Sequence, residues 1–231
     1  MSKAGFARLE RYELKYHIPL EMVSRLDAFL LPWCSLDSHS ENSETGFYWV
    51  SSLYLDSPRW TFFKWKEAGQ PDRFNMRIRA YGENPSPHSP RFFEVKRKRG
   101  DVVTKTRDEE RFHALSTTYN ASPVLLTQYR RKAWFGVHED YARVTVDMGL
   151  RWREEQGFDF SLQTDRMRPS DLPEYFRPGT NAVLELKCPK GEVPWWMLDL
   201  IRFLDLQRTS FSKYGVAVRE YHRIPTIRAV R

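Results

Sequence analysis

Six short segments of this chain alternate an ion with a greasy neighbour: Arg11-x-Glu13-x-Lys15, Arg77-x-Arg79-x-Tyr81, Glu94-x-Lys96-x-Lys98, Lys105-x-Arg107, Arg143-x-Thr145-x-Asp147 and Glu185-x-Lys187. Successive strand side chains point to opposite faces, so each segment puts its ions on one face and residues such as Tyr12, Leu14 and Tyr16 on the other. An ordinary antiparallel sheet also has a wet face, turned to solvent while the other covers the core. Such a face mixes signs with Ser, Thr and Gln. This one collects Arg11, Lys15, Arg77, Arg79, Lys96, Lys98, Lys105, Arg107, Arg143 and Lys187 against only Glu13, Glu94, Asp147 and Glu185. A closed barrel with that face inward is a tunnel for a polyanion.

The rest of the chain fits one large, mainly β (α+β) domain spanning residues 1–231. Lys and Arg number 37 against 30 Asp and Glu, and the resulting +7 admits an anionic partner without requiring one. Cys34 and Cys188 lie far apart with no CxxC spacing, which predicts buried, inert thiols. Charges interrupt residues 1–16, leaving no apolar h-region, and residues 195–206 carry Asp199, Arg202 and Asp205 and fall short of the ~20 apolar residues a membrane span needs. The expected location is cytoplasmic.

Local signals place a helix after Pro19, where Leu20, Val23, Leu26, Phe29 and Leu30 recur at helical spacing until Pro32. Strands are expected over residues 47–55, 72–81, 141–150, 157–162 and 183–187, with a hairpin of 91–99 and 102–107 turning about Gly100. A helix is expected over 57–67, ended by Gly69. Ser122-Pro123 looks like a cap followed by proline at the first helical position, which predicts a helix to about Phe135. Pro194 opens another helix ending near Leu206, with Trp195 and Trp196 expected in the core. Frequent hairpins, with helices between strand groups, indicate an antiparallel barrel with helices packed outside.

Two cations ~6 Å apart at an effective dielectric of ~20 repel by roughly 3 kcal/mol, so a cavity crowded with them needs an anion. Arginine offers a planar fork matched to phosphate oxygens and lysine a compact charge, a mixture suited to a chain of phosphates. The interspersed glutamates either orient the cations by ion pairing or hold Mg²⁺ or Mn²⁺, which one or two carboxylates bind together with substrate phosphates. Glu185 is the leading metal ligand, with Glu13 and Glu94 as further candidates. Tyr54 and Tyr81 either donate hydroxyls to phosphate or pack. The six histidines show no metal-binding spacing.

In order along the chain, Arg11-Tyr12-Glu13-Leu14-Lys15-Tyr16, Ser52-Leu53-Tyr54-Leu55-Asp56, Arg77-Ile78-Arg79-Ala80-Tyr81, Phe93-Glu94-Val95-Lys96-Arg97-Lys98, Lys105-Thr106-Arg107, Tyr129-Arg130-Arg131, Arg143-Val144-Thr145-Val146-Asp147, Leu184-Glu185-Leu186-Lys187 and Ser212-Lys213-Tyr214-Gly215 together resemble the VTC domain, the polyphosphate polymerase branch of the triphosphate tunnel metalloenzymes (CYTH-like superfamily). The resemblance implies an eight-stranded antiparallel closed β-barrel tunnel and a divalent metal on Glu185. It implies ATP and inorganic polyphosphate as substrates. Arg79, Lys96 and Glu185 become the catalytic candidates, and Arg11, Lys15, Tyr54, Arg77, Lys98, Lys105, Arg107, Arg143 and Lys187 the phosphate-binding ones. Lys213 joins them as a contact at the tunnel mouth, its alternative being a solvated lysine on the last strand. The wider superfamily opens with Glu-x-Glu-x-Lys; Arg11 at the first of those positions favours the polymerase branch. The SPX domain and membrane helices of the eukaryotic polymerase have no counterpart in these 231 residues, so regulation by inositol phosphates and coupled translocation are not carried over, and a membrane partner is left open.

Two other readings use the same residues. A hydrolase delivers water to the terminal phosphorus of a triphosphate. A non-catalytic module binds polyphosphate or nucleic acid, although single-strand nucleic-acid binders hold their cations and aromatics in open grooves, so no nucleic acid is expected here.

Overall fold

The computed structural model describes residues 11–100, 102–170 and 173–224. In chain order they form β1 (Arg11–Ile18), a 3-10 turn (Leu20–Met22), α1 (Val23–Leu30), β2 (Cys34–Leu36), α2 (Ser38–Glu41), β3 (Tyr48–Asp56) and α3 (Thr61–Glu67). There follow β4 (Asp72–Tyr81), β5 (Phe92–Arg99), β6 (Val102–Thr106), α4 (Glu109–Tyr119), β7 (Ser122–Gly136) and β8 (Arg143–Glu154). The last are β9 (Arg168–Pro169), β10 (Ala182–Pro189), α5 (Trp195–Phe203), β11 (Arg208–Thr209) and α6 (Lys213–Tyr221).

Eight of the strands close on themselves. Hydrogen bonding runs β7-β3-β4-β5-β6-β1-β10-β8, and β8 returns to β7, with every pairing antiparallel. β2, β9 and β11 add outer strands on β7, β8 and β1. The β1–β6 seam is thin, joined at the single described pair Arg11–Val103. Among the described residues no helix is long and apolar enough to cross a membrane.

The alternation sorts as expected. Tyr16, Val144, Val146, Leu184 and Leu186 point outward and are buried under Leu26 and Leu30 of α1 and Trp196 and Leu200 of α5. On the other flank Leu53, Met76, Ile78 and Val95 lie under Phe62 of α3 and Phe112 of α4. The hydrocarbon core is therefore a shell between barrel and helices, where full burial of each such side chain contributes about 1.5–3 kcal/mol. Cys34 and Cys188 are buried free thiols. α6 packs differently: its Tyr214, Ala217 and Val218 lie against Tyr54, Leu125 and Trp152 of the barrel strands.

Several local expectations fail for tertiary reasons. Residues 122–136 are strand β7, not a helix, because β3 and β8 both pair with it and their ladders outweigh a two-residue cap signal. Pro123 is accommodated at the strand's start, beside a register shift at Tyr54/Leu55. Residues 157–162 form a loop, its backbone turned by Asp159, which accepts from the Ser161 amide at 2.8 Å and hydroxyl at 2.7 Å. Lys213 begins a helix rather than lying on a strand, because Ser212 caps it by accepting from the Gly215 amide at 3.1 Å. Helix α4 escaped the sequence reading, although Asp108 is its cap and Glu109 and Glu110 fill its first turn. Trp196 is core at 1% exposure, but Trp195 is 60% exposed.

Candidate active site

Inward-facing residues of β1, β3, β4, β5, β6, β7, β8 and β10, with Ser212 and Lys213 at the start of α6, enclose a cavity of about 120 Å³. Among the described residues its wall carries ten cations and two carboxylates. Of the residues expected from sequence, Arg11, Glu13, Lys15, Tyr54, Arg77, Arg79, Lys96, Lys105, Arg143, Glu185, Lys187 and Lys213 all line it. Lys98 does not; it lines an adjoining chamber. Arg107 stands behind the wall, its side chain 43% exposed, with its guanidinium over the Phe92 ring. Tyr81 stacks on His39, ring centroids 4.3 Å apart, and does not reach the cavity.

Carboxylates hold the cations in place. Glu94, completely buried, accepts from Arg77 at 2.9 Å, Lys105 at 3.1 Å and Arg107 at 3.0 Å, with Arg79 Nε 3.9 Å away. Burial pushes its carboxyl up, but Arg79, Arg77, Lys105 and Arg107 outweigh that and hold it far below the usual range. Asp147 takes a two-pronged grip on Arg131 at 2.6 and 2.8 Å and accepts from Lys213 at 2.6 Å. Asp37 accepts from Arg143 and from the Tyr48 hydroxyl, both at 2.9 Å. These three acids lie outside the wall.

The two carboxylates on the wall are Glu13 and Glu185. Glu13 accepts from Arg11 at 3.0 Å and Lys96 at 2.5 Å; Glu185 sits 2.9 Å from Lys187 and 3.8 Å from Lys15. Burial and the mutual repulsion of the pair raise the Glu13 carboxyl, yet Lys96, Lys187 and Lys15 bring it down to about 2. Glu185 is likewise held well below its ordinary value by Lys187, Lys15, Lys96 and Lys213 against burial. Both are anions at neutral pH. Two ionised carboxylates in one phosphate-sized cavity are the donor set that Mg²⁺ or Mn²⁺ takes when phosphate oxygens complete its shell, so Glu185 and Glu13 fit such an ion. Glu94 lies outside the wall, where it orients Arg77, Lys105 and Arg107 rather than facing a ligand, so it is not a metal ligand.

The cations bear the cost of crowding. Burial, together with Arg107, Arg79 and Arg77, lowers the Lys105 ammonium to about 7 against the pull of Glu94. Burial drives Lys187 well below its ordinary value and also lowers Lys15. Arg79 Nε, Arg143 Nε and the Thr145 hydroxyl are buried without a hydrogen-bond partner among the described residues. Buried groups of that kind cost about 1–3 kcal/mol each unless something fills the gap.

Sequence reasoning gave no site role to Arg131, Tyr129, Asn75, Tyr141 or Ser212 on this wall, although Tyr129, Arg131 and Ser212 stand in segments that carry the resemblance. The signal for Tyr129 and Arg131 was present as a period of two, hidden by reading 122–135 as a helix. Tyr129 accepts from Arg79 at 3.3 Å, and the Lys213 ammonium sits 4.5 Å from its ring centroid.

A family model for the VTC domain matches residues 10–115 and 106–222. A candidate adenylate cyclase from Bacillus halodurans superposes with a TM-score of 0.51 at 8% identity, over 90% of this chain and 96% of its own, a likeness of fold. A candidate adenylate cyclase from Vibrio parahaemolyticus gives 0.49 at 13% identity over 91% and 98%. A candidate adenylyl cyclase from Hippeastrum, with a dominant triphosphatase activity, gives 0.47 at 11% identity over 95% and 98%. No curated protein matches the chain.

Proposed function

The chain belongs to the VTC domain family, and from that membership and the cavity we propose that it is a polyphosphate polymerase-type phosphotransferase, one domain that moves the terminal phosphoryl of ATP onto a growing inorganic polyphosphate. The observation that carries this reading is a phosphate-sized cavity whose wall, among the described residues, has ten cations and two carboxylates and Nε donors on Arg79 and Arg143 without a hydrogen-bond partner. An anion threaded through it removes the repulsion and satisfies the donors together.

In this reading Arg77, Arg131, Arg143, Lys187 and Lys213 hold the phosphates in line. Arg79 and Lys96 face the transferring group and neutralise charge as it spreads over the equatorial oxygens. Glu185 and Glu13 would hold Mn²⁺ or Mg²⁺, which supplies Lewis-acid neutralisation when bound. Glu94 and Asp147 keep their cations at fixed angles, so little reorganisation is left for the transition state. A terminal phosphate, with a second pKa near ~6, is already an anionic nucleophile at neutral pH and needs no general base. Arg11, paired with Glu13, adds a cation where the wider superfamily has an acid, which favours phosphate acceptor over water.

Purified protein given ATP and Mn²⁺ is expected to yield acid-stable chains of many phosphates on a sizing gel. Orthophosphate as the sole product makes the protein a hydrolase, and binding without turnover makes it a binder.

Protons should move with the ligand. At pH 8 Lys105, with its ammonium near 7, is mostly neutral; a polyanion beside it restores the charged form. Tripolyphosphate binding at pH 8 is therefore expected to take up protons, seen by calorimetry in buffers of different ionisation heat. Lys105→Arg, permanently charged, should reduce the uptake; identical uptake in both proteins removes Lys105 from the site.

A further inference from the structure

Among the described residues, every cation on the cavity wall stands on a barrel strand except Lys213, which begins α6. A strand ladder fixes the others; Lys213 depends on how α6 is seated. The residue that follows it, Tyr214, does not line the cavity and turns the other way, its hydroxyl donating at 2.6 Å to Asp56 at the end of β3, 158 residues away in the chain. Both partners are buried, Asp56 completely.

Asp56 is a rigid acceptor. The Ser57 and Phe62 amides donate to its Oδ1 at 2.7 and 2.9 Å and the Phe63 amide to its Oδ2 at 3.0 Å, so backbone groups occupy most of the ~four lone-pair sites of a carboxylate and Tyr214 takes what is left. The same bonds tie down the turn into α3, where Trp60 is held at a φ of +56°, a left-handed backbone that bulky side chains rarely adopt. Lys213 meanwhile donates to Asp147 of β8 at 2.6 Å and crosses the Tyr129 ring of β7, while the Tyr214 ring stacks on Tyr54 of β3 with centroids 4.7 Å apart. Since β3 and β8 flank β7, two adjacent residues fasten the first turn of α6 on both sides of one strand. Fastened on one side only, the turn can pivot.

We propose that Asp56 and Tyr214 are positioning residues for phosphate binding: their hydrogen bond seats the first turn of α6 so that the Lys213 ammonium stays on the cavity wall. This rests on the phosphate-binding reading of the cavity and assigns the groups that place its helix-borne cation.

Tyr214→Phe removes the hydroxyl and keeps the ring on Tyr54. In calorimetric titration of the full chain with inorganic tripolyphosphate and Mn²⁺, it is expected to weaken binding about fivefold, and Lys213→Ala about tenfold. With Lys213 already replaced, Tyr214→Phe should cost nothing more, because residues that act through one another are not additive. Wild-type affinity in Tyr214→Phe overturns the proposal, as does the same loss with and without Lys213, which routes the effect through Tyr54 and Arg77. Glu220→Ala loosens the far end of α6, where Glu220 accepts from Trp152 and, at 2.9 Å, from Ser170. It is expected to lower the thermal melt and leave tripolyphosphate affinity unchanged; weakening equal to that of Tyr214→Phe makes general anchoring of the helix the cause and overturns the proposal too. Wild-type protein that binds no tripolyphosphate defeats the phosphate reading itself, whereas binding that Lys213→Ala leaves untouched defeats the positioning role alone.

Discussion

Arg79→Ala is expected to fold normally and lose ~10²–10³ in turnover, the scale of removing one preorganised donor from a developing charge. Arg79 contributes the largest share of the pull that keeps Glu94 ionised, but Glu94 retains Arg77, Lys105 and Arg107 within 3.1 Å after the change, so the fold survives. What disappears is a buried guanidinium whose Nε has no protein partner among the described residues and whose Nη2 rests 3.3 Å from the Tyr129 hydroxyl. Glu185→Ala should fall as far by a different route. Lys187 and Lys15 lose their shared counter-ion, and burial already lowers both ammonium groups, so the fold of this variant has to be read alongside its rate. The comparison that matters is turnover with saturating ATP and metal beside the thermal melt. Near-wild-type rates in either variant would exclude these residues from the transferring group's surroundings.

Asp147→Asn tests the scaffold instead. Asp147 is 3% exposed and answers both Arg131 and Lys213, the latter from a helix rather than a strand. Removing its charge leaves two buried cations facing each other, and breaking a buried pair in this way costs about 3–5 kcal/mol. The loss is expected in urea denaturation of the ligand-free protein, with much of it recovered by tripolyphosphate, whose charge replaces the carboxylate. A loss below about 1 kcal/mol, the range of exposed pairs, would mean that water already solvates Arg131 and Lys213.

Local pattern failed where pairing partners decide. Ser122-Pro123 carries the chemistry of a helix start, but residues 122–136 sit between β3 and β8, and two ladders over fifteen residues decide against it. That error hid Arg131. Tyr129 and Arg131 share the inward face only once the segment is known to be a strand. Lys98 and Arg107 are the opposite case. Both continue inward-facing series, yet Lys98 falls in the adjoining chamber and Arg107 behind Glu94, because strand ends and barrel closure, not alternation, set where the cavity stops.

Alternation every second residue requires no long-range information, so the amino acids alone determined that ions share one face of the strands, that hydrocarbon occupies the other, and that the ionic face is mainly cationic. Burial of the greasy face then obliges helices to lie outside. Closure belongs to the tertiary structure, because pairing β8 back to β7 and β1 to β6 joins segments that carry no record of each other's register. The same holds for which acid serves which cation, as Glu13 with Lys96 and Asp147 with Lys213 meet only through the curvature of the barrel. Those meetings turn a crowd of basic side chains into a cavity of fixed shape.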